Sequence, residues 1–272
     1  MDKDRKISIM GIVNLTDDSY FADSRCTDVQ TAIDRIARLV DEGAGIIDIG
    51  ACSTRPGSLP VGSDEEWNRL RPVLSAAKDM FQNVTFSIDT YWASVVEKAY
   101  DVLGPFIVND ISAGEADSGM LPTVGRLGLK YVAMHMRGTP ENMQMLTDYH
   151  NVVEDLIGYF RNFALKADKN GIKDWILDPG LGFAKTVEQN YSILRSLASF
   201  KTVVKADGTP PDLLVGVSRK SMIYKYLDIT PDEALPATQV LHMAALQQGA
   251  DVLRVHDVAE AVRTVDLYRM LF

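Results

Sequence analysis

Cysteine is scarce in this sequence, and the two that occur do not suggest a pair. Cys26 and Cys52 lie far apart in a chain of 272 residues. Residues 1–6 are mostly charged and lead straight into an apolar run, so the sequence predicts no signal peptide. We therefore expect reduced thiols in a cytoplasmic protein, with neither a disulfide framework nor a zinc site built on paired cysteines.

Long hydrophobic runs and an excess of basic charge are also lacking. The longest apolar stretches, such as 7–13 and 102–108, are far shorter than the roughly 20 residues that cross a bilayer. With 28 Lys and Arg against 37 Asp and Glu, the formal net charge is −9. This balance argues against nonspecific binding to nucleic acid or anionic membranes, but a few cations focused in a cleft would still suit an anionic substrate.

Several familiar catalytic motifs are absent. The sequence contains no G-x-G-x-x-G after its first apolar run, no G-x-x-x-x-G-K-[ST] and no H-E-x-x-H. The segment 216–220, Gly-Val-Ser-Arg-Lys, has the first half of a nucleophile elbow, but Lys220 stands where the second glycine belongs. The pattern therefore does not favour Ser218 as a nucleophile.

What the chain does contain is a regular alternation of short β-branched runs and longer amphipathic segments. Capping boxes are predicted for Thr27 with Gln30, Ser63 with Glu66, and Thr230 with Glu233. Eight strand–helix repeats without a linker predict an α/β fold, a closed (β/α)8 TIM barrel forming a single domain over residues 1–272. The predicted strands are Ile7–Val13, Gly45–Gly50, Val84–Ile88, Phe106–Val108, Lys130–Met134, Trp175–Leu177, Leu213–Val217 and Val252–Val255.

Polar residues follow nearly every predicted strand. In a barrel of this kind such residues point into the active-site mouth, which lies at the carboxyl ends of the strands. The loops 14–27, 51–63 and 135–149 are unusually long and all fall at that end, which is typical of functional loops. The polar residues are Asn14, the run 53–57, Asp89, Asn109 with Asp110, His135, Asp178, the run 218–220, Arg254, and His256 with Asp257.

These residues fall into two chemical groups. The first contains two carboxylates, an amide and an ammonium, which suit the amino–amide edge of a flat heterocycle. The second contains cations and a neutral oxygen, which suit a polyphosphate with a hard divalent ion. The first group is Asp89, Asn109, Asp178 and Lys220, and the second is Asn14, Arg55, Arg254 and His256. The residues alone thus suggest a heterocyclic, anionic substrate without naming a reaction.

The motifs, taken in order, resemble those of the dihydropteroate synthases over essentially the whole chain. They are Met-Gly-Ile-Val-Asn-Leu-Thr at 10–16, Ile-Asp-Ile-Gly at 47–50, Ser-Thr-Arg-Pro-Gly at 53–57 and Ser-Ile-Asp-Thr at 87–90. The series continues with Val-Asn-Asp-Ile-Ser at 108–112, Met-His-Met-Arg-Gly-Thr-Pro at 134–140 and Leu-Asp-Pro-Gly-Leu-Gly-Phe at 177–183, and it ends with 216–221 and Arg-Val-His-Asp-Val at 254–258. Each motif is weak alone, but the ordered set is specific.

The resemblance implies that a pterin pyrophosphate is joined to p-aminobenzoate, with the pterin-CH₂–O bond breaking before the amine attacks. It implies catalytic roles for Asp23, Arg55 and Lys220, and Mg²⁺ bound by Asn14. It also implies that the pterin is held by Asp89, Asn109, Met134, Asp178, Phe183 and Lys220. The pyrophosphate would be bound by Arg254 and His256, and the p-aminobenzoate side by Phe21, Thr54 and Ser218. The same resemblance implies a homodimer that sulfonamides inhibit in competition with p-aminobenzoate.

The sequence departs from the family pattern in two places. Thr16 is followed by Asp17 where the family usually has Pro, and Cys52 stands where it usually has Glu. At Cys52 a small buried residue is the preferred interpretation, with a reactive thiol as the alternative. Two rival functions stay open, a pterin-binding methyltransferase and a catalytically silent pterin-binding barrel of the same fold.

Overall fold

Eight parallel strands close into a barrel in the computed structural model, which describes residues 5–15, 28–52 and 61–272. Each strand pairs with the next along the chain, and β8 pairs with β1. The strands are β1 (Ser8–Asn14), β2 (Ile46–Gly50), β3 (Thr85–Asp89), β4 (Ile107–Asp110), β5 (Lys130–Met134), β6 (Trp175–Asp178), β7 (Asp212–Val215) and β8 (Val252–Val255). The predicted (β/α)8 fold is confirmed, and predicted and observed strand ends differ by at most two residues.

Helices cover the outside of this barrel. They are α1 (Val29–Asp41), α2 (Ser63–Met80), α3 (Ala93–Leu103), α4 (Met120–Leu127), α5 (Val152–Lys169), α6 (Val187–Arg195), α7 (Ser221–Leu227), α8 (Leu235–Gln247) and α9 (Val258–Leu271). Short 3₁₀ turns occur at Met143–Met145, Leu197–Thr202 and Asp232–Ala234. Within the described part of the chain, none of the helices combines the length and the apolar character that a bilayer span requires.

The helix starts show which capping predictions hold. Thr230 and Glu233 exchange hydrogen bonds between side chain and backbone N–H as predicted. The prediction for Ser63 is wrong, because α2 has Gly62 at its N-cap and no side-chain cap. Thr27 lies outside the described residues, and the cap of α1 is Asp28, which accepts from the Thr31 N–H. A reciprocal capping box that the sequence analysis missed joins Thr186 and Gln189 at the start of α6.

The barrel interior is filled by one apolar layer. Seven buried side chains, each from a different strand, form a cluster separate from the larger core between barrel and helices. Side chains of a strand alternate between its two faces, so the residue two positions further along lies on the same inner face, nearer the carboxyl end. The layer consists of Met10, Ile46, Ile107, Val132, Ile176, Leu214 and Val252.

Candidate active site

The layer above this apolar floor is polar. Two positions beyond the apolar residues of β2, β4, β6 and β8 stand Asp48, Asn109, Asp178 and Arg254. Strand register then sets neighbours side by side: Asn109 pairs with Asp89, and Asp178 pairs with Met134. The predicted pterin residues Asp89, Asn109, Met134 and Asp178 are therefore brought to one end of the barrel by the period of the strands.

Arg254 is the centre of a charged network in this layer. Its Nε donates to Asp48 Oδ2 at 2.7 Å, and its Nη2 donates to Asp89 Oδ2 at 2.8 Å. Asp48, with no exposed surface, also accepts from the Ser87 hydroxyl at 2.6 Å and from the Asn109 amide at 3.0 Å. The amide of Asn109 is thereby oriented with its nitrogen toward Asp48, which leaves its oxygen as the acceptor for a ligand.

The protonation of this network is set by burial and by the pairing of charges. Burial raises the pKa of Asp89 to about 7, while the neighbouring Arg254 opposes the rise. For Arg254, burial acts to lower the pKa, but Asp48 and Asp89 outweigh it and raise the pKa above its ordinary value. The guanidinium therefore stays charged, and Asp89 titrates near neutral pH.

A second charged pair faces this network across the barrel mouth. Asp178 ends β6, is 7% exposed and accepts the Gly180 N–H through Oδ1 at 2.8 Å, which leaves Oδ2 for another donor. The Lys220 ammonium donates to the Leu181 carbonyl and lies 4.9 Å from the centre of the Phe183 ring. Carboxylate, ammonium and aromatic face thus meet at one wall of the site, as the sequence analysis expected for a flat heterocycle.

Burial perturbs both charges of this pair. It lowers the pKa of Lys220 to about 8, with Asp178 acting in the opposite direction. It raises the pKa of Asp178, with Lys220 acting against the rise. Each charge therefore stabilises the other, and a donor-rich ligand edge would further stabilise the Asp178 carboxylate.

Two glycines allow the loop after β6 to pack closely against His135 and Lys220. Gly180 has φ +68°, and a Cβ there would lie 2.0 Å from the His135 carbonyl oxygen. Gly182 has φ +87°, and a Cβ there would lie 3.3 Å from the Lys220 side chain. Both positions lie in the left-handed backbone region that glycine adopts without steric cost. The Gly-Leu-Gly sequence after β6 is therefore required by geometry.

The ends of β7 and β8 are held together by Ser218 and Asp257. The Ser218 hydroxyl accepts the His256 N–H at 3.2 Å, and this serine is 6% exposed. Asp257 binds the Arg219 guanidinium through both oxygens at 2.9 Å. Burial lowers the pKa of His256 to about 3, and Arg254 acts in the same direction. His256 is therefore a neutral imidazole in this site, which offers hydrogen bonds to an anion but no formal charge.

Some strand-end residues that the sequence analysis directed into the mouth serve the scaffold instead. Asp110 faces away from the barrel axis and accepts from the Tyr131 hydroxyl and from the Ser112 and Gly114 N–H groups. Asp257 is occupied by Arg219. Asp110 and Asp257 each follow directly after an inward-facing residue, at 109 and 256. Because successive side chains of a strand point to opposite faces, both aspartates face away from the barrel axis.

Three residues that contact the site were not among the predicted site residues. Asp48 and Ser87 lie inside predicted strands rather than after them, and an Asp in the run Ile-Ile-Asp-Ile-Gly was the available signal. Lys185, 4% exposed, lies in the loop after β6, where no strand-end rule points.

The departure at Cys52 lies beside this site. Cys52 is half-buried, with its Sγ 3.6 Å from the Tyr91 hydroxyl, and burial raises the pKa of its thiol. A raised pKa suppresses the thiolate, so the reactive-thiol interpretation is disfavoured. Asn14 ends β1 and is half-buried, while Phe21, Asp23, Thr54 and Arg55 lie outside the described residues.

Comparisons with known proteins point to one family. Residues 10–256 match the family described as pterin binding enzyme. The chain is 37% identical over 259 residues to dihydropteroate synthase of Escherichia coli, covering 94% of this chain and 89% of that protein. It is 38% identical over 256 residues to the folic acid synthesis protein fol1 of Pneumocystis carinii, of which it spans 34%.

Solved structures agree with this result over the full length of the chain. The Yersinia pestis dihydropteroate synthase, solved with a sulfonamide drug complex, has a TM-score of 0.91 and 34% identity, covering 100% of this chain and 96% of that one. The Thermus thermophilus enzyme, solved in complex with 4-aminobenzoate, has a TM-score of 0.84 and 34% identity with the same coverage.

Proposed function

We propose residue roles for this chain from the premise that it belongs to the dihydropteroate synthase family of pterin-binding enzymes. It condenses 6-hydroxymethyl-7,8-dihydropterin pyrophosphate with p-aminobenzoate, giving 7,8-dihydropteroate and pyrophosphate for folate synthesis. The proposed roles depend on one observation, which is that Asp178, Asn109 and Lys220 lie at the same end of the barrel. We treat residues 1–272 as one catalytic domain.

The pterin ring would be recognised through its polar edge. Asp178 Oδ2 accepts the paired N–H groups of the aminopyrimidine, and the Asn109 oxygen accepts a further one. Lys220 donates to a ring carbonyl or nitrogen, while Met134 and Phe183 supply apolar contact to the ring faces. Asp89, paired with Arg254, completes the pocket floor as a further acceptor.

The pyrophosphate would lie between β1 and β8. Arg254 has committed two of its nitrogens to Asp48 and Asp89, so it would offer the anion its remaining N–H groups in a fixed geometry. His256 donates from its neutral ring, and Arg55 of the second loop supplies another cation. The positive charge increases the stabilisation of the leaving group as the pterin-CH₂–O bond breaks.

Magnesium would be held by Asn14 together with pyrophosphate oxygens. The amide of Asn14 is a hard oxygen donor at the carboxyl end of β1, and Mg²⁺ commonly takes one or two protein oxygens with substrate phosphates and water. Within residues 5–15, 28–52 and 61–272, no group of three or more His, Cys, Asp or Glu side chains is arranged to hold a metal. When bound, the ion neutralises charge on the departing pyrophosphate.

The second substrate would approach the exposed CH₂ group after bond cleavage. Ser218 and Phe21 would form part of the p-aminobenzoate slot, with Thr54, while Asp23 would stabilise the positive charge that develops on the pterin. The amine nitrogen attacks the CH₂ carbon and then loses one proton, so no enzyme nucleophile is consumed. Turnover with both substrates tests this reaction, since a methyltransferase or a silent barrel would release no dihydropteroate.

The kcat/KM for the pterin substrate is expected to fall as pH rises through about 8. Burial depresses the pKa of Lys220 to that value, so the ammonium is present below it and lost above it, and kcat/KM reports the free enzyme. Rates measured across this range for the wild type and Lys220→Gln provide the check. If kcat/KM falls at the same pH in Lys220→Gln as in the wild type, another group causes the fall.

Binding of p-aminobenzoate is expected to be tight only after pyrophosphate and Mg²⁺ are present. The proposed roles of Asn14 and Arg55 direct both residues to the same anion, and each charge-assisted contact to it would contribute about 1.5–3 kcal/mol toward completing the p-aminobenzoate slot. Calorimetry would compare p-aminobenzoate alone, with pyrophosphate, and with pyrophosphate plus Mg²⁺. Equal affinities in the three titrations would show a preformed slot and contradict ordered binding.

We also propose that the protein is a homodimer. Large apolar side chains are exposed on the neighbouring helices α8 and α9, among them Val240 at 67%, Leu267 at 60% and Met270 at 85%. A contact between two copies of the chain would remove these side chains from water. Sedimentation analysis of wild type and a Val240→Glu, Leu267→Glu variant tests the assignment, with a monomeric wild type contradicting it.

A further inference from the structure

Lys185 is a lysine that the fold buries almost completely. It is 4% exposed and lies in the β6–α6 loop, which we define as residues 179–186. Its Nζ lies 2.9 Å from the Gly180 oxygen, 2.8 Å from the Phe183 oxygen and 3.4 Å from the His135 oxygen. The same nitrogen lies 3.1 Å from His135 Nδ1. One buried nitrogen therefore joins the β6–α6 loop to the end of β5.

The four acceptors suit an ammonium group. An ammonium has three N–H donors and no lone pair, so carbonyl oxygens and an imidazole nitrogen satisfy it completely, whereas a neutral amine has two donors. Burial lowers the pKa of Lys185 well below its ordinary value, with Asp178 acting in the opposite direction. The four acceptors around Nζ favour the charged form against this burial, because only the ammonium has three N–H groups to donate to them. Burial also lowers the pKa of His135 to about 2, so its ring is neutral and Nδ1 is available as an acceptor.

The loop that Lys185 holds carries contacts to both charges of the pterin wall. Its Gly180 N–H binds Asp178, its Leu181 carbonyl accepts from Lys220, and its Phe183 ring lies against the Lys220 ammonium. The backbone of this loop is also strained. Ala184 has φ +51°, a conformation that is costly for a residue with a side chain and persists only when its surroundings enforce it.

We propose that Lys185 is a positioning residue of the pterin site: its ammonium holds the β6–α6 loop in the conformation that presents Asp178, Lys220 and Phe183 to the pterin. This inference rests on the proposed pterin-binding roles and adds to them. The lysine does not touch the pterin. It acts through the three carbonyl groups and the imidazole that it gathers, and a loop released from them would let Lys220 and Phe183 move away from Asp178.

Lys185→Met provides the first test, because it keeps the apolar stem and removes the ammonium. We expect the dissociation constant for the pterin pyrophosphate to rise on the order of ten- to a hundredfold, since small displacements of positioning groups have effects of this size. The KM for p-aminobenzoate, measured at saturating pterin, should change little. If the variant does not fold, Lys185→Gln, which keeps two N–H donors, takes its place in the same measurements.

A matched control separates positioning from general stability. Lys201 is a partly buried lysine that is paired with Asp251 at the opposite end of the barrel. Lys201→Met should lower the thermal midpoint and leave pterin affinity unchanged. Pterin affinity equal to wild type in a folded Lys185→Met would show that Lys185 only stabilises the fold and would overturn the proposal.

Chemical rescue gives an independent readout. Lys185→Ala removes three carbons and the nitrogen, which correspond to n-propylammonium. We expect this amine to restore pterin affinity in Lys185→Ala, whereas n-propanol, which lacks the charge, should not. Equal effects of amine and alcohol would contradict a role for the ammonium. Direct pterin binding is measured throughout, so a wild type that binds pterin without turnover would contradict the proposed reaction and still leave the role of Lys185 decided.

Discussion

Asp178→Asn is expected to lower kcat/KM for the pterin substrate by about 30- to 1000-fold, equivalent to about 2–4 kcal/mol. In the structure Oδ1 already accepts the Gly180 N–H at 2.8 Å, so an asparagine in this position keeps its oxygen there and turns its amide nitrogen toward the ligand. A donor would then face the N–H groups of the pterin in a buried site, and the loss of negative charge would leave Lys220 unpaired. Steady-state kinetics with varied pterin at saturating p-aminobenzoate measures the loss.

Asp110→Asn is the matched control for this substitution. Asp110 is a fully buried carboxylate at the end of β4, but it faces the helices and binds Tyr131 and Ser112. We expect Asp110→Asn to reduce thermal stability without a selective change in pterin KM. Similar kinetic losses in both variants, or near-wild-type turnover by Asp178→Asn, would remove Asp178 from its assigned role.

Much of the fold was predictable because barrel strands have a strong sequence signal. A strand buried on both faces reads as a short continuous apolar run, and eight such runs separated by amphipathic segments leave few alternatives. The predicted strand boundaries lie within two residues of those in the structure. The error at Ser63 has a local cause, because the chain enters α2 at Gly62 and the serine is already the first helical residue.

The site was predictable in composition but less so in its internal pairing. Strand-end reasoning placed Asp89, Asn109 and Asp178 together, and the register confirms that they share one end of the barrel. It could not show that Arg254 would bind Asp48, because that contact joins residues 206 positions apart and depends on barrel closure. Nor could it show which of Asn109 and Asp110 faces the barrel interior, because a shift of one residue along a strand reverses the face.

Lys185 shows a further limit of sequence reasoning. Lysine in a loop is ordinarily a solvated surface residue, and nothing in its local sequence marks it as buried. Its burial follows from the left-handed turns at Gly180 and Gly182, which fold the loop back so that several carbonyl groups face one point. The arrangement of these carbonyl groups depends on backbone geometry, so the pattern of apolar and polar residues does not predict it.

Arg254→Met is expected to lower the free energy of unfolding by about 3–5 kcal/mol at neutral pH or above, and to abolish most activity. The substitution keeps an apolar stem and removes the cation that bridges Asp48 and Asp89. Asp48 has no exposed surface and Asp89 is 13% exposed, so both carboxylates would be left in a medium that solvates them poorly. Chemical denaturation of wild type and variant measures the difference.

The deficit should grow as pH rises through about 7. Burial already raises the pKa of Asp89 to about 7 with Arg254 in place, and loss of that cation raises it further. A folded-state pKa above the unfolded value of about 4 means that the native state binds the extra proton, so folding is favoured as pH falls through the folded pKa. Below about 7 Asp89 is neutral in both folded proteins and adds nothing to the difference. Above it the wild type ionises Asp89 beside Arg254, whereas the variant must either keep a proton on Asp89 or carry an unpaired charge, and both cost stability. Arg219→Met, which frees Asp257 from a similarly buried pair, serves as control and should show no such dependence on Asp89. A deficit for Arg254→Met that is the same at pH values on either side of about 7 would mean that Asp89 does not titrate with the charge of Arg254.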